Sequence, residues 1–219
     1  MEQRQHHAAP ATSLSYFPGA SAVRTRSNEI TSQLDNFDFI IRSGRAVMLP
    51  LYKGTSERGD GTKRTFPNTT SSYRDHVIVW SKDLGRTIDY LETRPDIAHD
   101  KLAFDGYSWG AAMGALLPAV DERLQALVLV SPGFYLKKCL PEVDRLNYAP
   151  RMKTAVLVLN GRFDFIFPTG NSQEAMLRML GTPNEDKHRV IYETGHDIPR
   201  IELIEETLNW LDWYLGPVK

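Results

Sequence analysis

The sequence predicts an α/β fold built on a mostly parallel sheet of about six strands, with helices on both faces. First, short β-rich runs alternate with longer helical patterns along the 219 residues, which is the order that gives a parallel sheet covered by helices. Second, runs such as Ala126–Val130 and Ala155–Leu159 are apolar without interruption, as expected for strands buried on both faces. Third, the length fits one domain.

Strands and helices can be assigned in order along the chain. The expected strands are Leu14–Phe17, Ala46–Leu51, Leu102–Asp105, Leu124–Val130, Thr154–Asn160 and His188–Glu193. Helices are expected at 28–42, 73–93, 109–119, 171–180 and 199–215. The last helix has the clearest pattern, because apolar residues recur on one face, at Ile201, Ile204, Leu208, Leu211 and Leu215. Residues 1–13 are expected to be a flexible segment in front of a domain at 14–219.

Composition and charge exclude several classes of function. Lys and Arg number 26 and Asp and Glu 27, so no excess of positive charge favours nucleic acid or an anionic membrane. No apolar run approaches the about 18 residues of a membrane helix, and the first twenty residues lack the apolar stretch of a signal peptide. Cys139 is the only cysteine, which excludes an internal disulfide, and we expect a cytoplasmic location.

The strongest chemical signal is the motif Gly106-Tyr107-Ser108-Trp109-Gly110. Chance matches to G-x-S-x-G are common, but this one follows an expected strand directly and precedes a helix-forming stretch. Such a tight turn forces the serine into strained geometry and exposes its hydroxyl above the carboxyl end of the sheet. Ser108 is therefore the predicted nucleophile, and the alternative is a glycine-rich turn with an incidental serine.

A serine nucleophile needs a base that takes its proton, and His196 is the candidate. It lies in the short loop 193–197 between the last strand and the last helix. This position places His196 at the carboxyl edge of the sheet, where Ser108 is also expected. The other five histidines precede the serine motif or lie in a strand.

The base needs an acid that orients the imidazole. Asp164 follows a buried strand at its carboxyl end and is the predicted acid. Glu142 and Asp144, which follow the preceding strand, are alternatives. Asp197 is expected to cap the final helix instead.

Two backbone amides are expected to stabilise the oxyanion of the tetrahedral intermediate. One is the amide of Trp109, which follows the nucleophile. The other is expected after the first strand, where Pro18-Gly19 forms a turn. Ala20 is the predicted donor and Ser21 the alternative, unless this is an ordinary Pro-Gly turn. This chemistry requires no metal and no organic cofactor.

These motifs resemble those of the α/β-hydrolases over nearly the whole chain, from Leu14 to Leu215. Three motifs carry the resemblance, in the order serine, aspartate, histidine: Gly106–Gly110, Asn160–Asp164 with Pro168, and Gly195-His196. More narrowly, the chain resembles the prolyl-oligopeptidase-like and acetyl-xylan-esterase-like branch. The segments Asn147–Arg151 and Gly161–Asp164 are similar to hydrolase domains attached to bacterial serine/threonine kinases.

The resemblance implies a serine carboxylesterase that hydrolyses short-chain acyl esters of small molecules through an acyl-enzyme. A prolyl-oligopeptidase-like peptidase and a non-catalytic ligand-binding module on the same fold are the alternatives. The segment 132–153 is too short for the cap domain of many α/β-hydrolases. Phe134, Phe165 and Ile198 are expected to contact the substrate, because each is close in sequence to a catalytic loop.

The sheet is expected to be smaller than usual, because residues 1–13 cannot supply the two strands that normally come first. The run Ala46–Leu51 would then form an edge of the sheet, and an apolar edge strand must be covered or paired. The cover could be the N-terminal segment, the loop 53–70 or a second copy of the chain in a homodimer. The loop 53–70 is polar and is expected either to be solvated or to border a site.

Overall fold

One parallel sheet of six strands organises the protein, whose computed structural model describes residues 10–27 and 30–218. The strands are β1 (Ala11–Phe17), β2 (Ala46–Met48), β3 (Ile97–Tyr107), β4 (Ala126–Val130), β5 (Ala155–Gly161) and β6 (Lys187–Tyr192). Their order across the sheet is β2-β1-β3-β4-β5-β6, and every neighbouring pair is parallel. The predicted α/β fold with about six strands is confirmed.

Helices cover both faces of this sheet. They are α1 (Ile30–Arg42), α2 (Ser71–Glu92), α3 (Trp109–Met113), α4 (Arg145–Tyr148), α5 (Glu174–Met179) and α6 (Arg200–Leu215). One apolar core lies between the sheet and α2, α3 and α5, and a second lies between the sheet and α1 and α6. Within the described ranges, no helix combines the length and the apolar character needed to cross a membrane.

Strand β4 shows why the central runs are apolar throughout. Leu127 and Leu129 face the core under α2, α3 and α5, whereas Ala126, Val128 and Val130 face the core under α1 and α6. A strand covered by helices on both sides has no solvated face on which polar residues would alternate.

The ends of the sheet differ from the prediction in two places. Strand β1 begins at Ala11, where its amide donates to the carbonyl oxygen of Asp96 at 2.8 Å. Residues 11–13 therefore belong to the sheet and not to a flexible segment, while residues 1–9 lie outside the described part. Strand β2 is at an edge of the sheet, as predicted, but ends at Met48 instead of Leu51. A homodimer through this edge stays a prediction.

In the first turns of helix α6, the buried face differs from the one that the sequence pattern predicts. Thr207, Leu211 and Leu215 are buried at four-residue spacing, but Ile201 is 77% exposed. At about 3.6 residues per turn, Ile201 is roughly 120° away from Thr207 around the helix axis. The prediction that Ile201 faces the core is therefore wrong.

The loop 53–70 is held against the domain by an ion pair with α2. The guanidinium of Arg58 lies 2.9 Å from Asp83 on α2, while the Nζ atom of Lys53 lies 3.2 Å from Asp60 within the loop itself. At its other end, the ring of Phe66 contacts Tyr135 with ring centroids 5.2 Å apart. The loop therefore lies against the segment 132–153, which holds α4 and two short 3-10 turns and forms no cap domain.

Candidate active site

The turn between β3 and α3 holds Ser108 in a strained conformation. Its φ is 54° and its ψ −106°, a region that non-glycine residues rarely adopt. A Cβ atom on Gly106 would lie 2.7 Å from the backbone of Gly110, and one on Gly110 would overlap the carbonyl oxygen of Phe17. Both glycines of the motif are therefore required by the close approach of β1, β3 and α3.

The structure brings Ser108, His196 and Asp164 into one chain of hydrogen bonds. The Nε2 atom of His196 lies 2.7 Å from the Oγ atom of Ser108, and its Nδ1 atom lies 2.7 Å from Oδ2 of Asp164. Because an ionised carboxylate only accepts hydrogen bonds, Nδ1–H donates to Asp164 and Nε2 is free to accept from the serine hydroxyl. This arrangement can pass the serine proton to the imidazole.

The carboxylate of Asp164 is buried and held by the backbone. Its Oδ1 atom accepts hydrogen bonds from the amides of Ile166 at 2.8 Å and Phe167 at 3.1 Å. Oδ2 remains for His196, so the carboxylate has a fixed orientation towards the imidazole. This anchoring is a consequence of the tight turn after β5.

The two alternative acids that follow β4 have partners other than His196. Asp144 is the N-cap of α4 and accepts from the amide of Leu146 at 3.0 Å, and Glu142 lies 3.8 Å from Arg74.

The prediction that Asp197 caps the final helix is wrong. Pro199 occupies the N-cap position of α6, and the carboxylate of Asp197 accepts a hydrogen bond of 2.5 Å from the hydroxyl of Tyr107.

Three residues that the sequence interpretation missed surround the histidine. The Oγ atom of Ser131 donates to the carbonyl oxygen of His196. The rings of Tyr107 and Phe167 lie 5.7 Å and 6.0 Å from the imidazole. A signal for Ser131 was available, because it directly follows β4, and the carboxyl ends of parallel strands meet at one edge of the sheet.

The loops that carry Asp164 and His196 are in direct backbone contact. The amide of Phe163 donates to the carbonyl oxygen of Thr194 at 2.9 Å. A Cβ atom on Gly161 would overlap the carbonyl oxygen of Gly195. The side-chain amide of Gln173 further fixes the first loop by donating to the carbonyl oxygens of Gly161 and Phe167, both at 2.8 Å.

Replacement of Gly161 by alanine is expected to lower kcat/KM for ester hydrolysis by about 100-fold, since a misplacement of about 1 Å has that cost. The new methyl group would push the Asp164 and His196 loops apart. Gly195→Ala is the matched control, because a Cβ atom there meets no described atom within 4 Å. Equal loss of turnover in the two variants, measured beside their thermal unfolding, would contradict the steric argument.

The two predicted oxyanion donors lie in the turn after β3 and in the loop after β1. Trp109 is the first residue of α3, so its amide is one of those that have no acceptor within the helix. The amide of Gly110 donates to the carbonyl oxygen of Pro18 at 3.1 Å, which fixes the loop after β1 beside α3. Ala20 begins a 3-10 turn in that loop, followed by Ser21. A Cβ atom on Gly19, the residue before Ala20, would lie 3.8 Å from the Cβ atom of Ser108. The choice between Ala20 and Ser21 stays a prediction.

The three predicted substrate contacts are not brought together. Phe134 is buried and lines a cavity of about 280 Å³ near α5. Ile198 is buried and lines a different cavity of about 260 Å³, near α1 and α6. Phe165 is 83% exposed.

Within the described part of the chain, no cluster of three or more His, Cys, Asp or Glu side chains is arranged to hold a metal ion.

Comparison with known families identifies the group to which this protein belongs. A family profile for the dienelactone hydrolase family matches residues 31–196, a span that includes Ser108, Asp164 and His196. The chain belongs to the dienelactone hydrolase family. This membership confirms the predicted relation to the α/β-hydrolases and makes the protein a member of a hydrolase family.

Solved structures share the fold of this dienelactone hydrolase family member. Acetyl xylan esterase 1 from Thermoanaerobacterium sp. JW/SL YS485 has a TM-score of 0.69 and 15% identity, covering 94% of this chain and 75% of its own. An acetyl xylan esterase from Paenibacillus sp. R4 has a TM-score of 0.68 and 17% identity, with 97% and 77% covered. An esterase from Pyrococcus furiosus has a TM-score of 0.73 and 14% identity, with 94% and 84% covered. None of the curated proteins compared matches the chain.

Proposed function

We propose that this dienelactone hydrolase family member is a serine carboxylesterase that hydrolyses short-chain acyl esters through an acyl-enzyme intermediate. The observation that carries the proposal is the continuous chain of hydrogen bonds, each 2.7 Å long, from Ser108 through His196 to Asp164. The strained backbone of Ser108, at the junction of β3 and α3, further supports the proposal that this serine is the nucleophile.

In the proposed reaction, the Oγ atom of Ser108 attacks the ester carbonyl carbon while Nε2 of His196 takes the hydroxyl proton. Asp164 stabilises the resulting imidazolium. The amides of Trp109 and Ala20 would donate to the oxyanion of the tetrahedral intermediate. Collapse of this intermediate breaks the ester bond, and the imidazolium protonates the departing alcohol. Water, activated by His196, then hydrolyses the acyl-enzyme and restores the serine.

Labelling with a fluorophosphonate, followed by assays with p-nitrophenyl esters, tests this proposal. We expect the full chain to gain one phosphonyl group, attached to Ser108, and to hydrolyse p-nitrophenyl acetate. Ser108→Ala should take up no label. An unlabelled wild-type chain without ester turnover would favour a ligand-binding module, whereas labelling with turnover only of peptides would favour a peptidase.

Activity is expected to be highest for acetyl to butyryl esters and to fall steeply by octanoyl. The segment 132–153 forms no cap, and Phe165 is exposed, so little protein surface is available to cover a long acyl chain. Each methylene contributes about 0.8 kcal/mol only where it becomes buried. The measurement is kcat/KM for a series of p-nitrophenyl esters, and an optimum at decanoyl or longer would contradict the prediction.

A further inference from the structure

A cavity of about 260 Å³ lies between the sheet, α1 and α6. Strand residues form its floor, and residues of α1, α6 and the loop before α6 form its walls. The described residues that line it do not include Ser108, Asp164 or His196. Tyr107 and Asp197 do line it, so it is adjacent to the candidate active site but separate from it.

A buried carboxyl group without a partner lies on the floor of this cavity. Asp105, on β3, lines the cavity and is 6% exposed. No hydrogen bond or ion pair joins its carboxyl group to the described residues, and burial raises its pKa to about 7. At pH 8 the group is therefore ionised and uncompensated, which is unfavourable in a buried position.

The charged side chains around the cavity do not neutralise Asp105. The one cation in its lining, Arg200, is engaged elsewhere among the described residues, with Asp38 at 2.5 Å and with the carbonyl oxygen of Asp35. Asp197 already accepts from the hydroxyl of Tyr107. The side chain of Asp35 adds a further acidic group to the lining.

Apart from Tyr16, Asn36 and Tyr107, which carry polar atoms, the rest of the lining is suited to an apolar group. Phe39, Val130, Ile198 and Leu203 provide aliphatic and aromatic surface. The volume is below the about 300–1,000 Å³ of sites for drug-sized molecules, so an occupant must be small. A primary ammonium offers three hydrogen-bond donors and a positive charge, and a short alkyl chain would occupy the apolar part.

We propose that this cavity binds a small alkylammonium ligand whose cationic head pairs with the carboxylate of Asp105. The site is separate from the proposed esterase reaction and does not depend on it. The ligand gives the buried carboxylate the charge partner that the protein does not supply, while its alkyl chain is removed from water between α1 and α6.

Titration of the full chain with n-butylammonium at pH 8, followed by calorimetry or NMR, tests the proposal. We expect saturable binding to the wild type and to Ser108→Ala. Asp105→Asn should weaken binding by about tenfold or more, since it removes a hydrogen bond between charged groups. Asp100→Asn, an exposed position on the same strand, should bind as the wild type does.

Butan-1-ol has nearly the same shape without the charge and is the ligand control. Thermal unfolding shows whether Asp105→Asn is folded, and removal of a buried charge should leave it at least as stable as the wild type at pH 8. Absence of saturable binding, equal affinity for butan-1-ol, or unchanged affinity of a folded Asp105→Asn would each overturn the proposal. Because Ser108→Ala is expected to bind normally, an inactive esterase would leave this result unaffected.

Discussion

Ser108→Ala is expected to reduce ester turnover by about 10⁴–10⁶-fold, because the members of a catalytic triad act as a unit. The substitution removes the hydroxyl group, which is the proposed nucleophile and forms the hydrogen bond to His196. Alanine keeps the Cβ atom, so the backbone strain at φ 54° is unchanged and the fold should be retained. The measurement is kcat for p-nitrophenyl acetate together with thermal unfolding.

The control for this variant is Ser81→Ala on α2, outside the candidate site, which should have wild-type turnover. Retention of more than about a tenth of wild-type kcat in folded Ser108→Ala would contradict the assignment of the nucleophile, since the expected loss is orders of magnitude larger. Contaminating esterases are excluded by showing that fluorophosphonate labels no other protein in the Ser108→Ala preparation.

Asp164→Asn is expected to lower kcat by about 10⁴-fold, because an amide in this position favours the wrong tautomer of the histidine. The carboxylate now accepts from Nδ1 of His196 and from the amides of Ile166 and Phe167. An asparagine side chain has one oxygen and cannot accept in all of these directions. Steady-state kinetics of the variant with p-nitrophenyl acetate provide the test.

Asp144→Asn is the matched control, since asparagine caps helices about as well as aspartate and α4 should be preserved. Its kcat should remain close to that of the wild type. A larger loss in Asp144→Asn than in Asp164→Asn would show that the acid follows β4 and not β5.

The proximity of Ser108, Asp164 and His196 could be predicted from the sequence because each follows a strand that is apolar or β-rich. In a parallel sheet, the carboxyl ends of all strands lie at one edge, so residues far apart in the chain meet there. The fold class could be predicted for a related reason: strands such as β4 and β5 are buried on both faces and leave a clear apolar pattern.

Side-chain environments were harder to predict, because they depend on packing between elements. Ile201 fits the apolar pattern of α6, but only the docked helix shows that its first turn is exposed. The side chain of Asp197 pairs with Tyr107, which is 90 residues away, and no local pattern indicates that contact. Three residues are close in sequence to the candidate site but lie apart in the structure: Phe134, Phe165 and Ile198. Phe134 and Ile198 line two different cavities, and Phe165 is exposed to solvent.

The loop around His196 is attached to three neighbouring strands. These attachments restrict the positions at which directed evolution can change substrate specificity. Contacts from Tyr107 at the end of β3, Ser131 after β4 and Gly161 at the end of β5 hold this loop. Insertions there would misalign the imidazole. The exposed stretch at Leu136, in contrast, is free of these attachments and can accept added residues. A library of grafted lids is therefore best introduced at that point, where acyl-chain preference could change without loss of the proton-transfer geometry.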